Sequence, residues 1–234
     1  MKQSRILVIG DTHIPVMRKG YLQFCQDLYE EWGCNTVVHI GDLCDFHSIS
    51  FHPKNPDCPS PKHEYEEALG EVQKLYKAFP KMLVCIGNHD ERVQRLAASV
   101  GIPDLFIKSY NDVWQTPGWK WAYNHVIDGI FFAHGHGAGG GVYPASNMVR
   151  SMLMSVCIGH FHSAAGVKWY VNPNQRIFAL DTGCGIDDKA KQFAYAQHNP
   201  KRSVLGAGVI IDGVPYHEIM RCGKGEPYWD GNFK

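Results

Sequence analysis

Five short stretches carry side chains able to bind metal ions. They are Gly-Asp-Thr-His at 10–13 (Asp11, His13), Gly-Asp-Leu-Cys-Asp-Phe at 41–46 (Asp42, Asp45), Gly-Asn-His-Asp at 87–90 (Asn88, His89, Asp90), Ala-His-Gly at 133–135 (His134) and Gly-His-Phe-His at 159–162 (His160, His162). The named residues offer carboxylate, amide-oxygen and imidazole donors, and no cysteine is among them. That is more than one tetrahedral ion needs, and the mixture points to two divalent cations. Cations about 4 Å apart repel each other unless a carboxylate is shared between them, and Asp42 is the natural bridge. Such a pair brings the pKa of a bound water towards neutrality and grips a phosphoryl oxygen. The chemistry these residues point to is phosphate-ester hydrolysis.

Each stretch ends an apolar run, so the elements that must position it can be read from periodicity. Residues 6–10, 36–41 and 82–87 read as buried strands, and 21–32, 65–79 and 91–100 as amphipathic helices between and after them. This β-α-β-α-β-α opening favours a parallel sheet covered on both faces. Strands then dominate, at 120–125, 129–134, 155–160, 176–182, 206–212 and 216–222. One helix intervenes at 144–154, with Pro144 in its first turn as helix starts tolerate. The second half is expected to form a more antiparallel sheet joined to the first. Ligands bind at the carboxyl edge of open α/β sheets, which is where these motifs would emerge, and the glycines let the backbone turn sharply out of the sheet.

The chain of 234 residues, 44% hydrophobic and 20% charged, has the composition of one well-packed domain, expected over 1–222 with 223–234 as a tail. Its 23 basic and 23 acidic residues cancel, which argues against a broad basic field for long nucleic acid or an anionic membrane. Bound metal can still supply positive charge locally for a phosphate. The eight cysteines are scattered, without Cys-x-x-Cys spacing, and read as reduced thiols of a cytoplasmic protein. The apolar run after Lys2 and Arg5 reaches Asp11 within about five residues, too short for a signal peptide. No apolar run of about 18 residues suggests a membrane span.

In this order after successive strands, Asp-x-His, Gly-Asp, Gly-Asn-His-Asp, His-Gly and Gly-His-x-His resemble the signature of the calcineurin-like metallophosphoesterases over roughly residues 6–162. The resemblance implies a four-layer α/β/β/α sandwich with two packed mixed sheets. It implies one metal held by Asp11, His13, Asp42 and His162 and a second by Asp42, Asn88, His134 and His160. His89 would be no ligand; it would contact the substrate phosphate or protonate the leaving oxygen, with Asp90 orienting it. The expected reaction is in-line attack of a metal-bridging hydroxide on a phosphate ester, preferably a diester. Mn²⁺ is the expected cation, with Fe, Zn, Co or Ni compatible. The substrate could be a small molecule, a nucleotide or a short nucleic acid. A nuclease or nucleotide phosphatase, or a non-catalytic scaffold of the same fold, is the competing reading.

The stretch Ala-His-Gly-His-Gly-Ala-Gly-Gly-Gly at 133–141 also spells the glycine pattern of a dinucleotide site. That reading needs an acidic residue about 20 positions on, and no Asp or Glu occurs between Asp128 and Asp181. His136 is open between substrate contact, support of a ligand and solvent. Asp45 either faces the pocket or starts a helix, and Arg92 either reaches a substrate phosphate or is a solvated helix residue. Asn88 and His89 are the remaining substrate-contact candidates. The loop at 46–62, with four prolines and with His47 and His52, is long enough to be a lid, and His63 follows it. Trp114, Trp119 and Trp121 either stack on bases or, the favoured reading, pack into a core.

Overall fold

The run Arg-Ile-Leu-Val-Ile of β1 (Arg5–Ile9) is apolar on both faces, so it must be covered on both sides. In the computed structural model, which describes residues 4–51, 54–196 and 200–222, it lies within a six-stranded sheet. Leu7 and Ile9 point outward, against helices α1 (Tyr21–Glu31) and α2 (Pro61–Ala78), while Ile6 and Val8 point inward. The inward set packs on Ile130, Phe132, Cys157, Phe178 and Leu180 of a second sheet. On that sheet's far side Ala145 and Val149 of α5 (Pro144–Met152) cover Val156, Ile158 and Ala179. The layers are therefore helix, sheet, sheet, helix, and both sheets are mixed.

The first sheet has the order β11 (Val214–Ile219), β10 (Gly206–Ile211), β1, β2 (Thr36–His39), β3 (Met82–Cys85), β4 (Trp119–Ala122), and the second β5 (Asn124–Ile127), β6 (Ile130–Ala133), β7 (Ser155–Ile158), β9 (Arg176–Thr182), β8 (Ala165–Val171). β1, β2, β3 and β4 run parallel. So do β6, β7 and β9 in the second sheet. The carboxyl ends of β1, β2, β3, β6 and β7 each lead into one of the five ligand-bearing stretches.

Several expected elements are revised. The single strand at 120–125 is two: β4 ends at Ala122 in the first sheet, and β5 (Asn124–Ile127) begins the second, so the chain changes sheets at Tyr123. The second half is more antiparallel than the first, as expected, but within the second sheet only β5 and β8 (Ala165–Val171) run against their neighbours. β10 (Gly206–Ile211) and β11 (Val214–Ile219) return to the first sheet instead. α2 starts at Pro61 rather than 65, since the Ser60 hydroxyl accepts from the His63 amide and Pro61 suits the first turn. The helix at 91–100 is α3 (Arg92–Ser99), and the short α4 (Tyr110–Trp114) was not expected. The aromatic run is core: Trp114 and Trp119 are buried, with the Trp119 indole N–H donating to the Phe79 carbonyl at 2.8 Å, and Trp121 stacks on Tyr110. The expected tail and His52 lie outside the described residues.

Candidate metal centre

Loops leaving neighbouring strand ends can bring ligands together only if their backbones come close. Gly87 lies so near Asp42 that a Cβ there would strike its carboxylate, and a Cβ on Gly159 would strike Asp11. Glycine is therefore required where the third and fifth motifs press on the first two. His13, Asp42 and His160 themselves adopt left-handed backbones, with φ of 44°, 49° and 68°. Such conformations are uncommon outside glycine and concentrate at functional sites.

Asp42 lies at the centre. Its Oδ1 accepts the His89 amide at 2.8 Å. Its Oδ2 faces the Nε2 atoms of His134, His13 and His89 at 3.1, 3.5 and 3.9 Å. On one side, Asp11 Oδ2 meets His162 Nε2 at 3.2 Å and accepts the His160 amide at 2.8 Å. On the other, His134 Nε2 faces Asn88 Oδ1 at 3.0 Å and His160 Nδ1 at 3.1 Å. Two groups of candidate ligands result, Asp11-His13-His162 and Asp42-His134-His160, with a third, His13-Asp42-His89, between them.

The donor chemistry of this set fits cations. His134 Nδ1 is in reach of the Ile40 carbonyl at 3.2 Å and donates there. In the neutral ring this leaves a lone pair on Nε2, facing an amide oxygen, a carboxylate oxygen and another ring nitrogen. His13 Nδ1 is likewise bonded to Asp45 Oδ1 at 2.7 Å, which turns Nε2 inward. His13 Nε2 and Asp11 Oδ1 are buried with no hydrogen-bond partner. Buried polar atoms are normally satisfied, so converging lone pairs and orphaned atoms call for a positive ion. Electrostatics agree in sign. Burial alone would raise the Asp42 carboxyl, but the His134 and His89 charges hold it well below the usual carboxylate range. Burial would lower His134, yet Asp42 and Asp11 push it up to about 9. Burial, with His134 beside it, brings His160 down to about 4.

His89 stands at the rim. Its Nδ1 donates to the Asp45 carbonyl at 2.7 Å and lies 3.2 Å from Asp45 Oδ1. The expected orienting contact from Asp90 is thus made by Asp45. The Asp90 carboxylate instead accepts the amides of Gly87, at 2.9 Å, and of Leu43 and Cys44, which ties the third motif's turn to the second. Asp45 is buried and bridges His13 and His89, so it neither starts a helix nor lines the cavity. Arg92 is buried too. Its guanidinium donates to the Asp45 and Phe46 carbonyls at 2.6 and 3.0 Å and lies 3.1 Å from His89 Nε2. Solvation on a helix surface is therefore not its environment. His136 is exposed, its ring 5.7 Å from that of His134.

A cavity of about 290 Å³ opens over these groups, lined by His13, Asp42, Asn88, His89, His160 and His162. Its remaining wall is Ser163 with Lys201, Arg202 and Ser203, none of which the motifs flag. Phe193, buried, sets its ring edge-on to His13 and His162 at centroid distances of 5.6 and 6.4 Å. The expected lid is pinned beside α2, where Glu64 accepts the His47 and Ser48 amides at 2.7 and 2.9 Å. His47 and His63 do not line the cavity.

A family model described as calcineurin-like phosphoesterase matches residues 4–176. The chain is 27% identical over 218 residues to the Gene 54 protein of Mycobacterium phage D29, covering 81% of this chain and 82% of that protein. Among solved structures it is similar to Vps29 of Chaetomium thermophilum, with 11% identity, a TM-score of 0.50 and coverage of 95% of this chain and 91% of that one. Yfce, a phosphoesterase from E. coli, matches with 15% identity, a TM-score of 0.41 and coverage of 90% of each chain. The Chaetomium likeness speaks to the fold alone. Among the described residues no helix is long and apolar enough to cross a membrane.

Proposed function

Because this chain belongs to the calcineurin-like phosphoesterase family, we propose that it hydrolyses a phosphate ester, preferably a diester, with two divalent metal ions, Mn²⁺ foremost. The observation that carries this reading is Asp42 Oδ2, which faces three imidazole nitrogens with His134 Nε2 nearest at 3.1 Å. One ion would be held by Asp11, His13, Asp42 and His162, and the other by Asp42, Asn88, His134 and His160. When bound, such a pair supplies Lewis acidity towards the phosphoryl oxygens and a nucleophilic water.

The protein's own residues supply the rest. Asp45 holds the rings of His13 and His89 through their Nδ1 atoms, which turns His13 Nε2 to the centre and leaves His89 Nε2 between Asp42 Oδ2, at 3.9 Å, and the Arg92 guanidinium, at 3.1 Å. His89, on the cavity wall, protonates the leaving oxygen from Nε2 while Nδ1 stays on Asp45. Arg92 backs His89 and Asp90 fixes the turn that presents it, both as positioning residues. The eight free cysteines, six of them buried, support a cytoplasmic setting.

The test is metal-stripped protein reloaded with Mn²⁺ and assayed on bis(p-nitrophenyl) phosphate and p-nitrophenyl phosphate. Diester turnover exceeding monoester turnover, and lost in Asp42→Asn, is the expected result. A metal-loaded protein that turns over neither ester would favour the non-catalytic scaffold.

A further inference from the structure

β2 ends in a side chain that its surroundings do not call for. Val37, Val38 and Ile40 are buried and apolar, and His39 among them is fully buried as well. A buried imidazole costs free energy unless its ring nitrogens are hydrogen-bonded. Breaks of this kind in an apolar pattern gather at functional sites. His39 belongs to none of the three candidate ligand groups and does not line the cavity over them. Whatever it does for the centre, it does through its neighbours.

Those neighbours flank Asp42. The Gly41 amide donates to His39 Nδ1 at 3.2 Å. His39 Nε2 lies 3.1 Å from the Thr12 hydroxyl, which donates to the Leu43 carbonyl at 2.9 Å. The two ends fix the direction of every bond, since an amide N–H only donates and a carbonyl only accepts. The ring is therefore neutral and gives its Nε2 proton to Thr12. One continuous run of bonds leads from Gly41 to Leu43, on either side of Asp42, by way of Thr12, which stands between Asp11 and His13. Gly41 and Asp42 have successive positive φ angles of 109° and 49°. At a non-glycine residue such a backbone persists only where its surroundings hold it. The same turn also supports His134, whose Nδ1 meets the Ile40 carbonyl at 3.2 Å.

We propose that His39 and Thr12 act as one pair of positioning residues, which sets the Asp42 carboxylate against the Asp11–His13 loop so that two ions can share it. Both side chains are fully buried, and neither touches a reacting atom. This role rests on the two-metal reading of the site. It is separable from catalysis, because metal binding is measured without a substrate.

Thr12→Val removes the hydroxyl at nearly the same size, Thr12→Ser keeps it, and His39→Leu removes both ring bonds. Each full-length protein, stripped of metal, is dialysed against Mn²⁺, and the electron paramagnetic resonance spectrum of the bound ions is recorded. Wild type and Thr12→Ser should bind two ions with the spectrum of a coupled pair. In Thr12→Val and His39→Leu the weaker of the two Mn²⁺ affinities should fall about 10- to 100-fold, the range for loss of a group behind metal ligands. The coupled spectrum should give way to that of isolated ions. Thr12→Val/His39→Leu should lose no more than the worse single change, because both break the same run of bonds. A coupled pair bound at wild-type affinity in Thr12→Val, or a loss in Thr12→Ser equal to that in Thr12→Val, would overturn the pairing. So would losses that add in the double variant. Should His39→Leu fail to fold, the two Thr12 variants decide alone. A wild type that binds the coupled pair but cleaves neither p-nitrophenyl ester fails the catalytic reading and leaves this test standing, whereas a wild type that binds no pair overturns the positioning role as well.

Discussion

Asp42, just past β2, and Asp181, in β9, are both withdrawn from water, at 2% and 7% exposure, and their charges are treated in opposite ways. Around Asp42 burial is outweighed by the imidazoles of His134 and His89, and the carboxyl stays ionised. Asp181 has one long amide contact, from Ala145 at 3.4 Å, and an Oδ1 with no partner, so burial pushes it up to about 7. Burial raises any carboxyl. What separates the metal-centre aspartate from the other is the ring of nitrogen donors brought in by other strand ends. The comparison predicts that the same Asp→Asn change acts on function at one position and on stability at the other.

The largest effect is expected from Asp42→Asn, which removes the charge proposed to be shared by the two ions and should abolish diester turnover. Asp181→Asn should leave turnover at the wild-type level, and a comparable loss in both variants would break the contrast. Next comes His89→Ala. It should lower turnover about 10²- to 10⁴-fold, the range for loss of a general acid, with metal content retained. Loss of metal in this variant would make His89 a ligand, as its place in the group with His13 and Asp42 allows. Asp45→Asn should weaken metal binding about 10- to 100-fold, as removal of a carboxylate behind a ligating imidazole does. Unchanged metal affinity would remove Asp45 from the support of His13.

The smallest effect is on stability and depends on pH. Asp181 holds its proton more tightly folded than unfolded, since its folded pKa of about 7 lies above the usual 3.8. Its contribution to stability is complete below about pH 4 and is lost as pH rises through about 7. Asp181→Asn should therefore raise Tm at pH 8 relative to wild type and do so less at pH 5. Each kcal/mol corresponds to roughly 2–4 °C for a chain of this size. Thermal melts at the two pH values check this, and an equal shift at both would contradict it.

The candidate ligands can be read from the sequence because each is written within a few residues of a strand that betrays itself by continuous apolar character, as Arg5–Ile9 does. The groups that support them cannot. Asp45 reaches His13 across 32 positions and His89 across 44, and only the closed fold reveals the pairing. Asp90, which the resemblance gives as the partner of His89, turns its carboxylate to backbone amides instead. Lys201 and Arg202 lie some 40 positions past the last motif, with no local pattern to mark them. The same limit hid the change of sheet at Tyr123, where residues 119–127 keep strand character throughout while the chain passes between layers. β8 escaped notice because its faces are both partly exposed, which erases the alternation that marks half-buried strands.

The central claim is that Asp42 is common to two cations. Equilibrium dialysis against Mn²⁺ followed by elemental analysis measures this most directly. Two ions per wild-type chain, and one or none in Asp42→Asn, is the predicted result. One ion or none in the wild type, or two retained after the substitution, would contradict the shared carboxylate.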